Sequence, residues 1–232
     1  MRAFAHLSAT ELRLLGRDPG SLFFMVAFPL MLLFLNSGSK TPGNFIPGYL
    51  AMILAIGGMA ALPGIVATYR ERKVLRRLAT TPMSPLALLA AQVAAQLVMG
   101  LGGAILVVGV GMAALGVQAP DNPAALALAF FMSSLMTCSI GFVIAAVAPR
   151  ARVADLLGLL VMFPMIFLSG AAVPRSGLPD TVRALGEYLP LTQGVTALAE
   201  SWSGTPTVLP LLILTGIITI CTAIAATLFR WE

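Results

Sequence analysis

Histidine occurs once in these 232 residues, lysine and cysteine twice each, and only 10% of the chain is charged. The single His6 rules out zinc motifs built on a histidine pair. Cys138 and Cys221 both fall inside apolar stretches and offer neither ligand spacing nor a disulfide pattern. They read as small buried hydrophobes. Neither Lys40 nor Lys73 is preceded by a glycine-rich loop, so GxxxxGK[ST] is missing and the chain is not a complete ATPase. GxSxG is missing too, and no paired carboxylates fall at membrane depth, which ranks an intramembrane lipid enzyme last.

What is present is apolar. Hydrophobic residues make up 59% of the chain, against about 45–50% in an ordinary soluble domain. One soluble fold cannot hide that much apolar surface, so the excess faces lipid. Six runs have the length for a membrane helix or nearly so: Ser21–Asn36, Phe45–Thr68, Leu86–Leu115, Ala124–Ala148, Leu156–Val173 and Val208–Phe229. Continuous apolarity, rather than alternation with period two, points to helices and not a barrel. The first run is short and contains Pro29. The predicted fold is an all-α integral membrane domain over residues 1–232 with six transmembrane helices.

Fourteen Lys and Arg residues set the orientation. Arg2, Arg13, Arg17, Arg70, Arg72, Lys73, Arg76, Arg77, Arg150, Arg152 and Arg230 lie in one set of gaps; Lys40, Arg175 and Arg183 lie in the other. The excess places both termini in the cytoplasm of a multi-pass cell-membrane protein. Basic residues gathered in these gaps anchor to a membrane rather than to nucleic acid. No small-residue cleavage site follows the first run, which argues against a cleaved signal peptide.

Residues 1–20 form a separate object. As a helix over Ala3–Arg17, Phe4, Leu7, Leu14 and Leu15 share one side and Arg2, His6, Arg13 and Arg17 the other, the pattern of a helix lying in the cytoplasmic interface. Asp18-Pro19-Gly20 breaks it. Glu11 projects on the apolar side, either reaching to water or pairing with a basic residue of another segment. Between the second and third runs, Val74, Leu75 and Leu78 fall at helical spacing among Arg70, Glu71, Arg72, Lys73, Arg76 and Arg77. This stretch reads either as a solvated anchor or as a short amphipathic helix that offers a docking face. Pro174–Gly204 is long but apolar, and fits two amphipathic helices, Leu178–Leu189 and Thr192–Trp202, at the outer face with Tyr188 and Trp202 at headgroup depth.

Inside the six runs there is no Asp, Glu, Lys, Arg or His. Proton relays and ion pathways usually keep such groups. Their absence argues against coupling to ions through side chains and leaves open Na⁺ held by backbone carbonyls. Uncharged polar residues do occur: Gln92 and Gln96 in the third run, Ser133, Ser134, Thr137 and Ser139 in the fourth, and Thr215, Thr219 and Thr222 in the sixth. They serve either helix–helix seams or a pathway for an amphiphile; Ser133, Ser134, Thr137, Gln96 and Thr219 are the pathway candidates. Aromatics in the runs are few, and no charged pocket gives the sign of a ligand.

Three stretches together resemble the membrane subunits of ABC-2-type transporters, a permease family of drug, polysaccharide and lipid exporters. They are Glu11-Leu12-Arg13-Leu14-Leu15-Gly16-Arg17-Asp18-Pro19, the stretch from Arg70 through Ser84, and the stretch from Phe163-Pro164 through Leu189-Pro190-Leu191-Thr192. The resemblance implies an N-terminal connecting helix with Glu11, Arg13 and Arg17, and an extracellular helical hairpin over residues 174–204. It also implies a coupling helix at Arg70, Glu71, Arg72, Lys73, Leu75, Arg76, Arg77 and Leu78. It further implies a separate cytoplasmic ABC ATPase that binds ATP and Mg, so that this chain has no cofactor or catalytic residue of its own. A second permease chain, identical or paralogous, would complete an export pathway for a hydrophobic or amphiphilic cargo. The competing expectation is a self-contained carrier or channel.

Overall fold

A computed structural model of the protein describes residues 20, 23–38, 42–73, 85–173 and 179–228. Among these, every regular element is helical. Residues 1–19, with the expected connecting helix and its Glu11, Arg13 and Arg17, lie outside the described residues. So do residues 74–84, which hold Leu75, Arg76, Arg77 and Leu78.

Helix α1 runs over Phe23–Leu35 and opens with a π-helical turn at Phe23–Ala27. Helix α2 extends over Gly43–Glu71. It is followed by α3 (Pro85–Leu115), α4 (Pro123–Val147) and α5 (Ala151–Leu168). Two shorter helices come next, α6 (Asp180–Glu187) and α7 (Pro190–Trp202), before α8 (Val208–Leu228). Five of these, α2, α3, α4, α5 and α8, are long and apolar enough to cross a membrane. Helix α1 is apolar but shorter. The first run was expected to supply a helix over Ser21–Asn36; Ser21 and Leu22 lie outside the described residues, and the described helix ends one residue short, at Leu35.

Helix α2 is the centre of the bundle. All ten residues of Ile46–Ala55 are buried, with α3, α4 and α7 packed around them. Its middle, Ile56–Ala61, is π-helical, and Leu62 N–H bonds the carbonyl of Gly57 five residues back. Two features of the sequence account for this widened turn. Pro63 has no N–H and its ring would strike the carbonyl four residues earlier. Gly57-Gly58 supplies backbone freedom just ahead of it. The same glycines let neighbours approach: a Cβ on Gly57 would stand 2.7 Å from Gln96 Oε1, and one on Gly58 would stand 2.7 Å from the Thr137 carbonyl carbon. Such contact through small residues is how helices associate where lipid removes the hydrophobic drive.

The outer surfaces of α3, α5 and α8 are apolar, with Ile105, Leu160 and Leu209 each at least 65% exposed. Water would not tolerate that belt; hydrocarbon does. Helix α1 is tied to α2 by polar groups. Asn36 Nδ2 donates to Leu32 O (2.9 Å) and Tyr49 Oη (3.1 Å), and the Tyr49 hydroxyl donates to Leu32 O (3.2 Å). The two short helices come where the sequence put them, each a residue or two from its expected bounds. Helix α7 buries Leu191, Ala197 and Leu198 against α4 and α2, and Thr192 Oγ1 donates to Gly186 O to hold α6 on it.

Helix α5 departs from expectation at both ends. It begins at Ala151, five residues before the apolar run, and so takes in Arg152 and Asp155. It stops at Leu168, where Ser169 and Gly170, the latter at φ 88°, turn the chain. The run Leu156–Val173 itself holds no ionisable residue; Asp155 lies just ahead of it, one turn inside the helix, because a helix can start before its apolar run does.

Candidate functional site

The end of the bundle that carries Arg70, Arg72, Lys73, Arg150 and Arg152 is its basic end. Helix α4 finishes there, Pro149 makes a corner, and α5 starts. Helix ends leave orphan groups: carbonyls at the close of α4, N–H groups at the opening of α5. Arg150, at the N-cap of α5, provides no side-chain cap. The partners come from α2, some eighty residues earlier. Arg70 donates from Nη1 to Ala145 O (3.1 Å) and from Nη2 to Ala148 O. Glu71 Oε1 accepts the Ala151 N–H at 2.7 Å.

Two adjacent residues of opposite charge thus cap two successive helices, each with the sign its helix dipole favours. Beneath them Ala67, Ala148 and Ala154 form a small buried cluster, and their methyl-sized side chains let the corner approach α2. The result is a clasp. A displacement of the last turn of α2 must carry the α4–α5 corner with it or break three hydrogen bonds.

Of the residues expected to meet a partner, Arg70 and Glu71 are therefore engaged within the chain. Arg72 and Lys73 are exposed just beyond them, Lys73 in a left-handed turn at φ 53° that ends α2. The pathway candidates fall elsewhere. Gln96, Ser133, Ser134 and Thr137 are buried where α2, α3, α4 and α7 meet. Thr137 Oγ1 donates to Ser134 O (3.0 Å), whereas Gln96 Nε2, both polar atoms of Gln92 and Ser133 Oγ have no hydrogen-bond partner. Thr219 lies on the exposed face of α8 and donates to Thr215 O. None of the five lines a further cavity, which opens elsewhere among the described residues.

That cavity, of about 890 Å³, is a groove between α1, α2 and α5. Its walls are mostly apolar, and Phe24, Phe28, Phe163 and Phe167 supply aromatic faces. Thr68, Tyr69, Arg72 and Asp155 lie toward the basic end. Hydropathy gave no hint of it, since its walls are the same residues that read as ordinary membrane helix. One signal was available: Gly64, Thr68 and Arg72 recur at four-residue spacing, a polar and small stripe on one face of α2.

A family model for the ABC-2 type transporter matches residues 2–201. Among curated proteins the chain is similar to the inner membrane transport permease YhhJ of Escherichia coli, 27% identical over 164 residues, which are 66% of this chain and 43% of that protein. It is also similar to nodulation protein J of Rhizobium leguminosarum, 32% identical over 75 residues, which are 32% of this chain and 29% of that protein. The chain thus spans under half the length of these relatives. The family is a transport permease, the membrane component of an ABC transporter, and not itself an enzyme. With a match over most of its length and apolar helices long enough to cross a bilayer, this multi-pass membrane protein belongs to the ABC-2 type transporter family.

Proposed function

We propose that this chain is the permease subunit of an ATP-driven exporter, with both termini in the cytoplasm and α1 as a sixth crossing beside α2. A separate cytoplasmic ATPase binds ATP and Mg. It docks on the basic segment from Arg72 through Leu78 and on the N-terminal helix with Glu11, Arg13 and Arg17. Its movement reaches the membrane through Arg70 and Glu71. A second permease chain faces this one, and an amphiphilic cargo passes along the groove between α1, α2 and α5. The buried amides and hydroxyls of α3 and α4 serve helix seams.

The observation that carries this reading is the clasp. A docking segment is useful only if its displacement is delivered to the spans, and Arg70 and Glu71 join the end of α2 to two further helices. The residues that follow, Arg72 and Lys73, are exposed.

Charge reversal of Arg72 and Arg76 together tests it. The double variant is expected to insert in the membrane as the parent does and to lose association with the ATPase on co-purification. Undiminished association and nucleotide-dependent transport would remove the docking segment from the mechanism. Flux in liposomes driven by a pH or sodium gradient, with no ATPase present, would favour the self-contained carrier.

A further inference from the structure

We propose that the groove between α1, α2 and α5 binds cationic amphiphiles, with the Asp155 carboxylate as their counter-charge. The inference rests on the permease reading and narrows the cargo to one chemical class.

Asp155 is the acid of the groove lining. Its Oδ1 occupies the space that a Cβ on Gly64 would fill, so a glycine in α2 is what seats the carboxylate at the groove wall. Among the described residues it has no ion pair or hydrogen bond. Arg152, three residues earlier in α5, and Arg72 of α2 are exposed, as is Asp155 itself, and neither arginine pairs with it. The positions of these charges differ in depth. Gly64, Thr68 and Arg72 descend one face of α2 in four-residue steps, which at 1.5 Å per residue puts Arg72 about 12 Å nearer the basic end. Arg72 therefore stands at the mouth, and the carboxylate stands further in, where apolar walls begin.

Asp155 is exposed on the groove side and has no partner among the described residues, so it offers a counter-charge to a cation whose apolar part rests on the groove walls. The surrounding rings act in the same direction. Phe24 and Phe28 on α1 approach each other edge to face at 6.3 Å, and Phe163 and Phe167 of α5 also line the groove. Ring faces carry partial negative charge, attracting cations and repelling anions. The volume, about 890 Å³, falls within the range of sites that enclose a drug-sized molecule. A permanently charged aromatic cation satisfies all of these features. An anion of the same shape would meet Asp155 and the ring faces together.

The test uses the full chain in nanodiscs, with empty nanodiscs subtracted, and three probes of similar size. Tetraphenylphosphonium is the cation, triphenylphosphine oxide the neutral form and tetraphenylborate the anion. The parent protein is expected to bind the cation at least about tenfold more tightly than the oxide, the equivalent of about 1.4 kcal/mol. Asp155→Asn should lose most of that preference while binding of the oxide stays within about twofold, and Asp155→Glu should retain it. Gly64→Ala, whose new methyl takes the carboxylate's place, should weaken the cation and spare the oxide. Phe163→Ala should weaken both.

Retained binding of the oxide reports that the groove is intact in the Asp155 and Gly64 variants. Equal binding of the cation and either other probe by the parent overturns the proposal, as does an unchanged preference in Asp155→Asn. A parallel loss of cation and oxide in Asp155→Asn also overturns it, since Asp155 would then shape the groove rather than select charge. No ATPase or nucleotide enters the measurement. Failure here leaves the permease reading standing, and failed ATPase association would leave this binding result standing.

Discussion

Replacing Arg70 by methionine separates transmission from docking. The change keeps the length of the side-chain stem, which packs at the half-buried end of α2, and removes the guanidinium that bonds Ala145 O and Ala148 O. Hydrogen bonds from a charged group contribute about 1.5–3 kcal/mol where desolvated, and solvent at the basic end lowers that figure. With two carbonyls of α4 left to water or unpaired, a loss of about 2 kcal/mol in unfolding free energy is expected. Because the guanidinium points into the chain, association with the ATPase should change by less than about twofold, under about 0.4 kcal/mol. Transport per ATP hydrolysed should fall, since the α4–α5 corner is then tied to α2 by the Glu71 bond alone. Denaturant titration of the purified permease, co-purification and coupled transport in proteoliposomes provide the three readouts. A variant as stable as the parent that no longer binds the ATPase would refute the reasoning, placing Arg70 on the docking surface.

Glu71→Gln keeps an acceptor for the Ala151 N–H and loses the charge, so a smaller cost of about 0.3–1 kcal/mol is expected, measured by the same titration. Gly58→Ala should be far more damaging. Its methyl would stand 2.7 Å from the Thr137 carbonyl carbon, backbone that cannot rotate away, and overpacking of this kind costs about 1–3 kcal/mol or more. An unchanged unfolding midpoint for Gly58→Ala would show that α2 and α4 are further apart than described. Gln92→Met removes two unpartnered polar atoms from a side chain that is 0% exposed. It should leave stability unchanged or raise it by about 1 kcal/mol, and a clear loss would reveal a hydrogen-bonded role for the amide.

Long stretches of this molecule were readable from order alone. The helices α3, α4 and α8 lie within about a residue of the apolar runs that foretold them, because hydropathy over twenty residues is a local property and needs no partner. The α6–α7 pair was legible because its apolar residues repeat at helical spacing, whereas the start of α7 at Pro190 rather than Thr192 was not. Tertiary structure decided the rest. Arg70 meets a carbonyl 78 positions away and Glu71 an N–H 80 positions away, and in the sequence both residues were indistinguishable from the exposed charges beside them. Asp155 lies at the edge of an apolar run, and only the start of α5 at Ala151 carries it to Gly64. Membrane segments are specified by composition, which a single chain displays. Which of their polar groups face one another depends on the rotation and depth of each helix, and those are fixed by small residues in contact across the bundle.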